Sequence, residues 1–220
     1  MRAELVRQIY FTGARAVPFV LLIGFFFGLA LVFQVFYWLE FSGQEEFIGN
    51  IIVHSLMREL APLMVGLILL GRTGMAVLAE VGAMQATRQI HLLDSQGVDP
   101  FFYIVLPRAW GCALCGVVLS YLLIATALLV GFVALNAFGI SQIPFYLFNE
   151  SVFSRTGVLD LAFPVVKGFF FGIAIALVCV SRGFRVTRSV TEIPRELPGT
   201  FMESLLYIFL LSGGITVIFL

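Results

Sequence analysis

The chain has 220 residues, of which 60% are hydrophobic and 12% charged, and its mean hydropathy is +1.05. Soluble domains carry about 25% charged residues, so this composition excludes a soluble globular domain and points to a polytopic membrane protein. The 13 Lys and Arg cancel the 13 Asp and Glu. No positive excess marks a nucleic-acid partner, and only the placement of charge along the chain is informative.

Residues 1–13 are amphipathic. Leu5, Val6, Ile9 and Tyr10 share one face at helical spacing, opposite Glu4, Arg7 and Gln8. This predicts a short helix in the membrane interface ending near Gly13; a frayed tail is the alternative. The following apolar run is too long for a signal peptide and lacks a small-x-small cleavage site. The first predicted span runs from about Pro18 to Leu39, and a run of about 22 residues suffices for a hydrocarbon core of about 30 Å. It contains Gly24-Phe-Phe-Phe-Gly28, a small-xxx-small pair that admits a close helix neighbour. Tyr37 and Trp38 suit the interface, and Glu40 to Asn50 reads as a short acidic loop. The second span, Ile51 to Ala79, is long enough to be tilted, kinked at Pro62 or projecting. Gly66, Gly71, Gly74, Ala79 and Gly82 permit close packing along it.

Glu80 to Val98 is polar, with Gly97 as a helix stop. Asp99 as N-cap and Pro100 after it begin the third span, Phe102 to Leu135. An aromatic-rich loop follows over 136–157. The fourth span, Val158 to Val180, holds Lys167 and then Gly168-Phe-Phe-Phe-Gly172. This echoes the Gly24–Gly28 segment, but five residues do not establish a repeat. A basic loop from Arg182 to Leu197 precedes the fifth span, Thr200 to Leu220.

Orientation follows from the basic residues. With the N-terminus inside, Arg2, Arg7, Arg15, Arg72, Arg88, Arg108, Arg182, Arg185, Arg188 and Arg195 fall to the cytoplasmic side. Only Arg58, Arg155 and Lys167 fall to the outer side. The N-terminus and the Glu80–Val98 segment are therefore expected inside and the C-terminus outside.

Enzyme signatures are missing. His54 and His91 have no partner at H-E-x-x-H spacing, there is no G-x-S-x-G elbow, and no Walker A sequence occurs. The chain is expected to be no enzyme and to bind no cofactor itself. Cys112, Cys115 and Cys179 all lie in apolar spans, and Cys112-x-x-Cys115 lacks a second metal-binding pair, so all three read as polarizable helix fillers. The informative residues are charges that a bilayer rejects, at about 2.5–3.5 kcal/mol each on insertion scales. Arg58 and Glu59 read as an ion pair near the outer third of the second span, with Lys167 at similar depth in the fourth. Two readings stay open. Arg58 and Glu59 sit at the interface while Lys167 snorkels outward, or the three line a partly polar cavity in which the cations meet an anionic headgroup. Arg72 lies deeper, where it can pin helix ends through backbone carbonyls. The basic loop reads as positive-inside anchoring or as a contact for acidic lipid heads.

Four motifs occur in order: R-E-L-x-P (Arg58 to Pro62), G-R-x-G (Gly71 to Gly74), E-x-G-x-M (Glu80 to Met84) and V-D-P…P-R (Val98 to Arg108). On these the chain resembles the MlaE (YrbE) permeases, the membrane subunits of ABC lipid transporters that work with MCE proteins. The resemblance is strongest over 56–108 and looser over the rest. It implies a single all-α membrane domain over 1–220: an N-terminal interfacial helix (1–15), five transmembrane helices and a cytoplasmic coupling segment (80–98) between the second and third. It further implies a homodimer in the bacterial inner membrane, with a cytoplasmic ABC ATPase that binds the ATP and a small cytoplasmic regulatory subunit. An MCE-domain partner in the periplasm would exchange phospholipid with it, maintaining outer-membrane lipid asymmetry. The family's coupling helix matches Glu80 to about Leu93, with Glu80, Gly82, Met84, Thr87, Arg88 and Gln89 as coupling positions. Its lipid-cavity residues match Arg58, Glu59 and Lys167. Pro62, Gly71, Arg72, Gly74, Asp99, Pro100, Pro107 and Arg108 match structural motif positions. The chain departs from the family at Arg88, where Glu is usual, and at Ser212, where Asp is common. Pro194 and Pro198 stand in place of a glycine-rich pattern. A non-transporting scaffold subunit and a small-solute ABC permease are the alternatives.

Overall fold

The computed structural model describes residues 2–42, 53–137, 156–186 and 190–219. Most of the acidic and aromatic loops lies outside these residues, as do Arg155 and Arg188. The described chain is helical throughout, with no strand. Within hydrocarbon only a helix or a closed barrel satisfies every backbone N–H and C=O. Among the described residues, five stretches are long and apolar enough to cross a membrane: Val6–Leu31, Leu56–Ala86, Phe101–Ala137, Leu159–Gly183 and Ile193–Ile218.

Helix α1 (Arg2–Ile9) continues through a π turn, Tyr10–Ala14, into α2 (Val17–Ser42). The segment is not a frayed tail. It packs on the third span, where the Cys115 thiol donates to the Ile9 carbonyl at 3.6 Å. Helix α3 is the second span, assembled from a π turn (Val53–Leu60), an α segment (Ala61–Leu69), a second π turn (Leu70–Gly74) and a final α segment (Met75–Ala86). Pro62 sits in the first turn after the first π segment. The wider turn before it relieves the clash between its ring and the carbonyl one turn back.

The boundary expected at Ala79 is displaced. Glu80, Gly82 and Met84 belong to the last turns of α3 rather than to a separate helix. The chain breaks at Thr87-Arg88. The Thr87 hydroxyl bonds back to the Ala83 carbonyl at 2.8 Å, and Arg88 takes a left-handed conformation with φ 60°. A short helix α4 (Gln89–Ser95) follows. Gly97, at φ 77°, ends this segment, and the Asp99 carboxylate accepts the Phe101 N–H at 2.8 Å, capping what comes next.

Helix α5 opens with a π turn, Phe101–Val105, and runs over Leu106–Ala137. Helix α6 is Val158–Gly183. A 3-10 turn, Val190–Glu192, leads into α7 (Ile193–Ile218), which begins several residues before the expected Thr200 because Pro194 occupies its first turn.

α5 is the central post. Both Gly-Phe-Phe-Phe-Gly segments dock on it, α2 along one side and α6 along another. A Cβ added at Gly28 would fall 2.5 Å from the Ala127 carbonyl oxygen, and one at Gly172 would fall 2.4 Å from that of Cys112. The pairing of Gly168 with Gly116 and Gly172 with Cys112 makes α6 antiparallel to α5, while α2 runs parallel to it. The core between α3, α5, α6 and α7 is closed by Leu69, Leu119, Phe171, Ile175 and Ile208.

Candidate functional site

At one end of the bundle α3, α6 and α7 bring four charges together. The neighbours in sequence, Arg58 and Glu59, do not pair with each other, contrary to the expectation. Arg58 Nε donates to Asp160 Oδ1. Glu59 Oε1 accepts from Lys167 Nζ at 2.7 Å. Each pair thus ties α3 to α6. The π turn over Val53–Leu60 presents both residues toward α6 and α7, in keeping with the tendency of π turns to mark functional positions.

Lys167 does not snorkel: its side chain is fully buried. Beyond Glu59 it donates to Thr216 Oγ1 at 2.9 Å and to Ser212 Oγ at 3.3 Å. Both hydroxyls turn to the same carboxylate, Ser212 donating to Glu59 Oε2 at 3.1 Å and Thr216 to Oε1 at 2.6 Å. Ser212 and Thr216 lie one helical turn apart on α7, so one face of that helix completes the cluster. Asp160 serves α3 and its own helix at once. Its Oδ1 takes Arg58, and its Oδ2 accepts the Gly157 N–H at 2.8 Å, capping the start of α6. The Phe163 ring lies under both cations, 5.1 Å from the Arg58 guanidinium carbon and 5.5 Å from Lys167 Nζ. The four charges sum to zero. In a low-dielractric interior that balance is what allows Lys167 and Asp160 to be buried at all.

Three members of the cluster, Asp160, Thr216 and Phe163, lie outside the sequence motifs, and Ser212 marks only a departure from the family pattern. A usable signal existed for the acid. Asp160 is the one acidic residue between 158 and 183, and a buried cation on a neighbouring span needs a counter-charge. For Ser212 and Thr216 only the spacing of four hinted at a shared face.

At the opposite end, Arg108 Nη2 binds Glu80 Oε2 at 2.9 Å, joining the end of α3 to the start of α5. Arg182 holds Glu203 at 2.6 Å and reaches Glu196 at 3.8 Å, joining α6 to α7. Gly82 packs against Val186 and Ile193, and Gly74 against Ile175 and Cys179. Met84 is half-buried against the core, Pro107 is buried, and Thr87, Arg88, Gln89 and Asp99 are exposed. Arg72 lies in the π turn Leu70–Gly74 in the middle of α3, within the second predicted span. Its Nη1 is buried and finds no hydrogen-bond partner among the described residues. Gly71 beside it faces open space. Among the described residues, no three His, Cys, Asp or Glu side chains gather as a metal site.

The chain matches the family model of the permease MlaE over residues 5–218. It belongs to the MlaE permease family. The intermembrane phospholipid transport system permease protein MlaE of Haemophilus influenzae is 31% identical over 181 residues, covering 82% of this chain and 69% of that protein. A probable ABC transporter permease of Rickettsia prowazekii is 26% identical over 217 residues, 98% of this chain and 82% of the relative. One of Synechocystis is 29% identical over 209 residues, 95% and 79% respectively. With five apolar helices of spanning length, this MlaE-family member is a multi-pass membrane protein related to ABC transporter permeases.

Proposed function

We propose that this MlaE-family permease moves phospholipid across or out of the inner membrane as the membrane subunit of an ABC transporter. The observation that carries this is the neutral cluster of Arg58, Asp160, Glu59 and Lys167 inside an otherwise apolar bundle. A purely structural bundle gains nothing from such a cluster, since apolar packing of the same volume is as stable or more so. A lipid permease needs polar groups for a headgroup set among apolar walls for the chains. The name of the Haemophilus relative adds the same substrate class.

In this reading the Glu59 end faces outward, toward an MCE-type periplasmic partner, and the exchange serves outer-membrane lipid asymmetry. The opposite end, rich in arginine, faces the cytoplasm. There a separate ATPase binds the ATP and seats on the segment from Met84 through α4. From Glu59 to Met84 α3 is continuous helix, about 38 Å at 1.5 Å per residue, so movement at α4 is carried mechanically to the cluster. Two copies of the chain form the permease.

The test uses purified complex with its ATPase, reconstituted in lipid, and a photoreactive phospholipid. Crosslinks are expected on α3 near Glu59, and Arg58→Ala is expected to reduce lipid transfer to an acceptor at least about tenfold, the loss of one charge-assisted anchor. Normal crosslinking and transfer by Arg58→Ala would remove the cluster from the transport path.

A further inference from the structure

The four charges differ in what can reach them. The Lys167 side chain is 0% exposed and that of Asp160 4%, whereas Arg58 keeps 25% and Glu59 36%. The site therefore shows the outside one cation and one anion on consecutive residues, with an opposite charge buried behind each.

The remaining hydrogen-bonding capacity is just as uneven. Lys167 has three N–H donors, and all three are matched, by Glu59, Thr216 and Ser212. It has none left for a headgroup and acts as a positioning residue for Glu59. Arg58 donates only through Nε. Its two Nη groups make no hydrogen bond to a described residue, and they form the fork that suits a phosphate. On Glu59, Oε1 already accepts from Lys167 and Thr216, and Oε2 accepts only from Ser212. A carboxylate offers about four acceptor positions, so one remains open, on Oε2.

We infer that the site selects zwitterionic phospholipids with a primary ammonium, the phosphate seated on the Arg58 fork and the ammonium donating to Glu59 Oε2. This rests on the phospholipid reading above and adds the headgroup class to it. Two physical arguments converge. The four described charges sum to zero, so a zwitterion adds no net charge to them, while an anionic headgroup would leave an uncompensated negative charge in a poorly screened place. Oε2 keeps one open acceptor position beside Ser212, which a primary ammonium can fill and a quaternary ammonium, with no N–H to give, cannot.

Purified complex is placed in bilayers of equal phosphatidylethanolamine, phosphatidylcholine and phosphatidylglycerol, each carrying the same photoreactive acyl chain. Adducts on the peptides around Glu59 and Lys167 are counted by mass spectrometry. Phosphatidylethanolamine is expected to exceed phosphatidylglycerol about tenfold, one unmatched charge interaction, and to exceed phosphatidylcholine by a smaller factor. Glu59→Gln gives the cluster a net positive charge and is expected to invert the order toward phosphatidylglycerol. Asp160→Asn removes the same charge from the buried side and is expected to shift the order the same way. Phosphatidylglycerol captured as well as phosphatidylethanolamine by the unaltered complex overturns the inference while leaving lipid transport standing. No adduct of any lipid at these peptides overturns both. If neither variant assembles, the preference of the unaltered complex decides.

Discussion

Helix α3 carries a glutamate near each end, and each meets a cation from another helix. Glu59 holds Lys167 of α6 at 2.7 Å, and Glu80 holds Arg108 of α5 at 2.9 Å. The two arrangements look alike in a list of ion pairs and differ in physics. The Lys167 ammonium is sealed, and Glu59 is its sole counter-charge among the described residues. Two hydroxyls of α7 fix the carboxylate in place. Glu80 is 54% exposed, at the foot of the bundle, and Arg108 also reaches the Ile104 carbonyl at 3.5 Å. Water can take the place of Glu80, whereas Lys167 is sealed and pairs with no second carboxylate among the described residues. The Glu59 end is thus a polar site built into the core, and the Glu80 end is a brace between helix termini.

The sharpest way to break this contrast is to truncate the carboxylate that faces Lys167. Glu59→Ala leaves a buried ammonium without a counter-charge. It is expected to lower stability by about 3–5 kcal/mol, read as a large fall in the thermal unfolding temperature of detergent-solubilised permease. Glu59→Ala combined with Lys167→Met should recover most of that loss, because no charge is then left stranded. A fall no larger than that of Glu80→Ala would refute the contrast.

A middle-sized effect tests the post on which the site is mounted. Gly172→Ala places a methyl group 2.4 Å from the Cys112 carbonyl oxygen. It must push α6 away from α5, at a cost of about 1–3 kcal/mol. Because α6 also carries Asp160 and Lys167, the same variant should weaken lipid crosslinking at Glu59. Gly213→Ala, where nothing lies within 4 Å, is the control and should leave both measurements unchanged. Equal losses in the two variants would mean that the glycine contact does not position the cluster.

The smallest effect belongs to the brace. Glu80→Ala removes an exposed partner, worth about 0.2–1 kcal/mol, and should barely move the unfolding temperature. Under the proposed function its effect appears instead in lipid-stimulated ATP hydrolysis, since Arg108 and the end of α3 are no longer held together. Unchanged turnover would confine the Glu80–Arg108 pair to a structural role.

Much of the fold was legible in the chain itself. Long apolar runs must become helices where no water satisfies the backbone, so the five spans follow from composition. Gly97 and the Asp99-Pro100 pair end and start helices through local geometry alone. Boundaries were less legible. Glu80 and Met84 look like the start of a polar loop, yet α3 runs on to Ala86, because Gly82 packs on Val186 and Ile193 and Arg108 takes the Glu80 carboxylate. Those partners are distant in sequence, and no local propensity encodes them.

That charged residues stand in membrane spans is plain from the chain alone, Arg58, Glu59 and Lys167 among them. Who pairs with whom emerges only when the helices pack. Adjacent residues on a helix point in different directions, so Arg58 and Glu59 reach different levels of α6, Asp160 and Lys167. The register in which α6 docks is set by backbone contacts of Gly168 and Gly172 with α5. That register brings a lysine and an aspartate, a hundred residues away along the chain, to the level of the Arg-Glu pair.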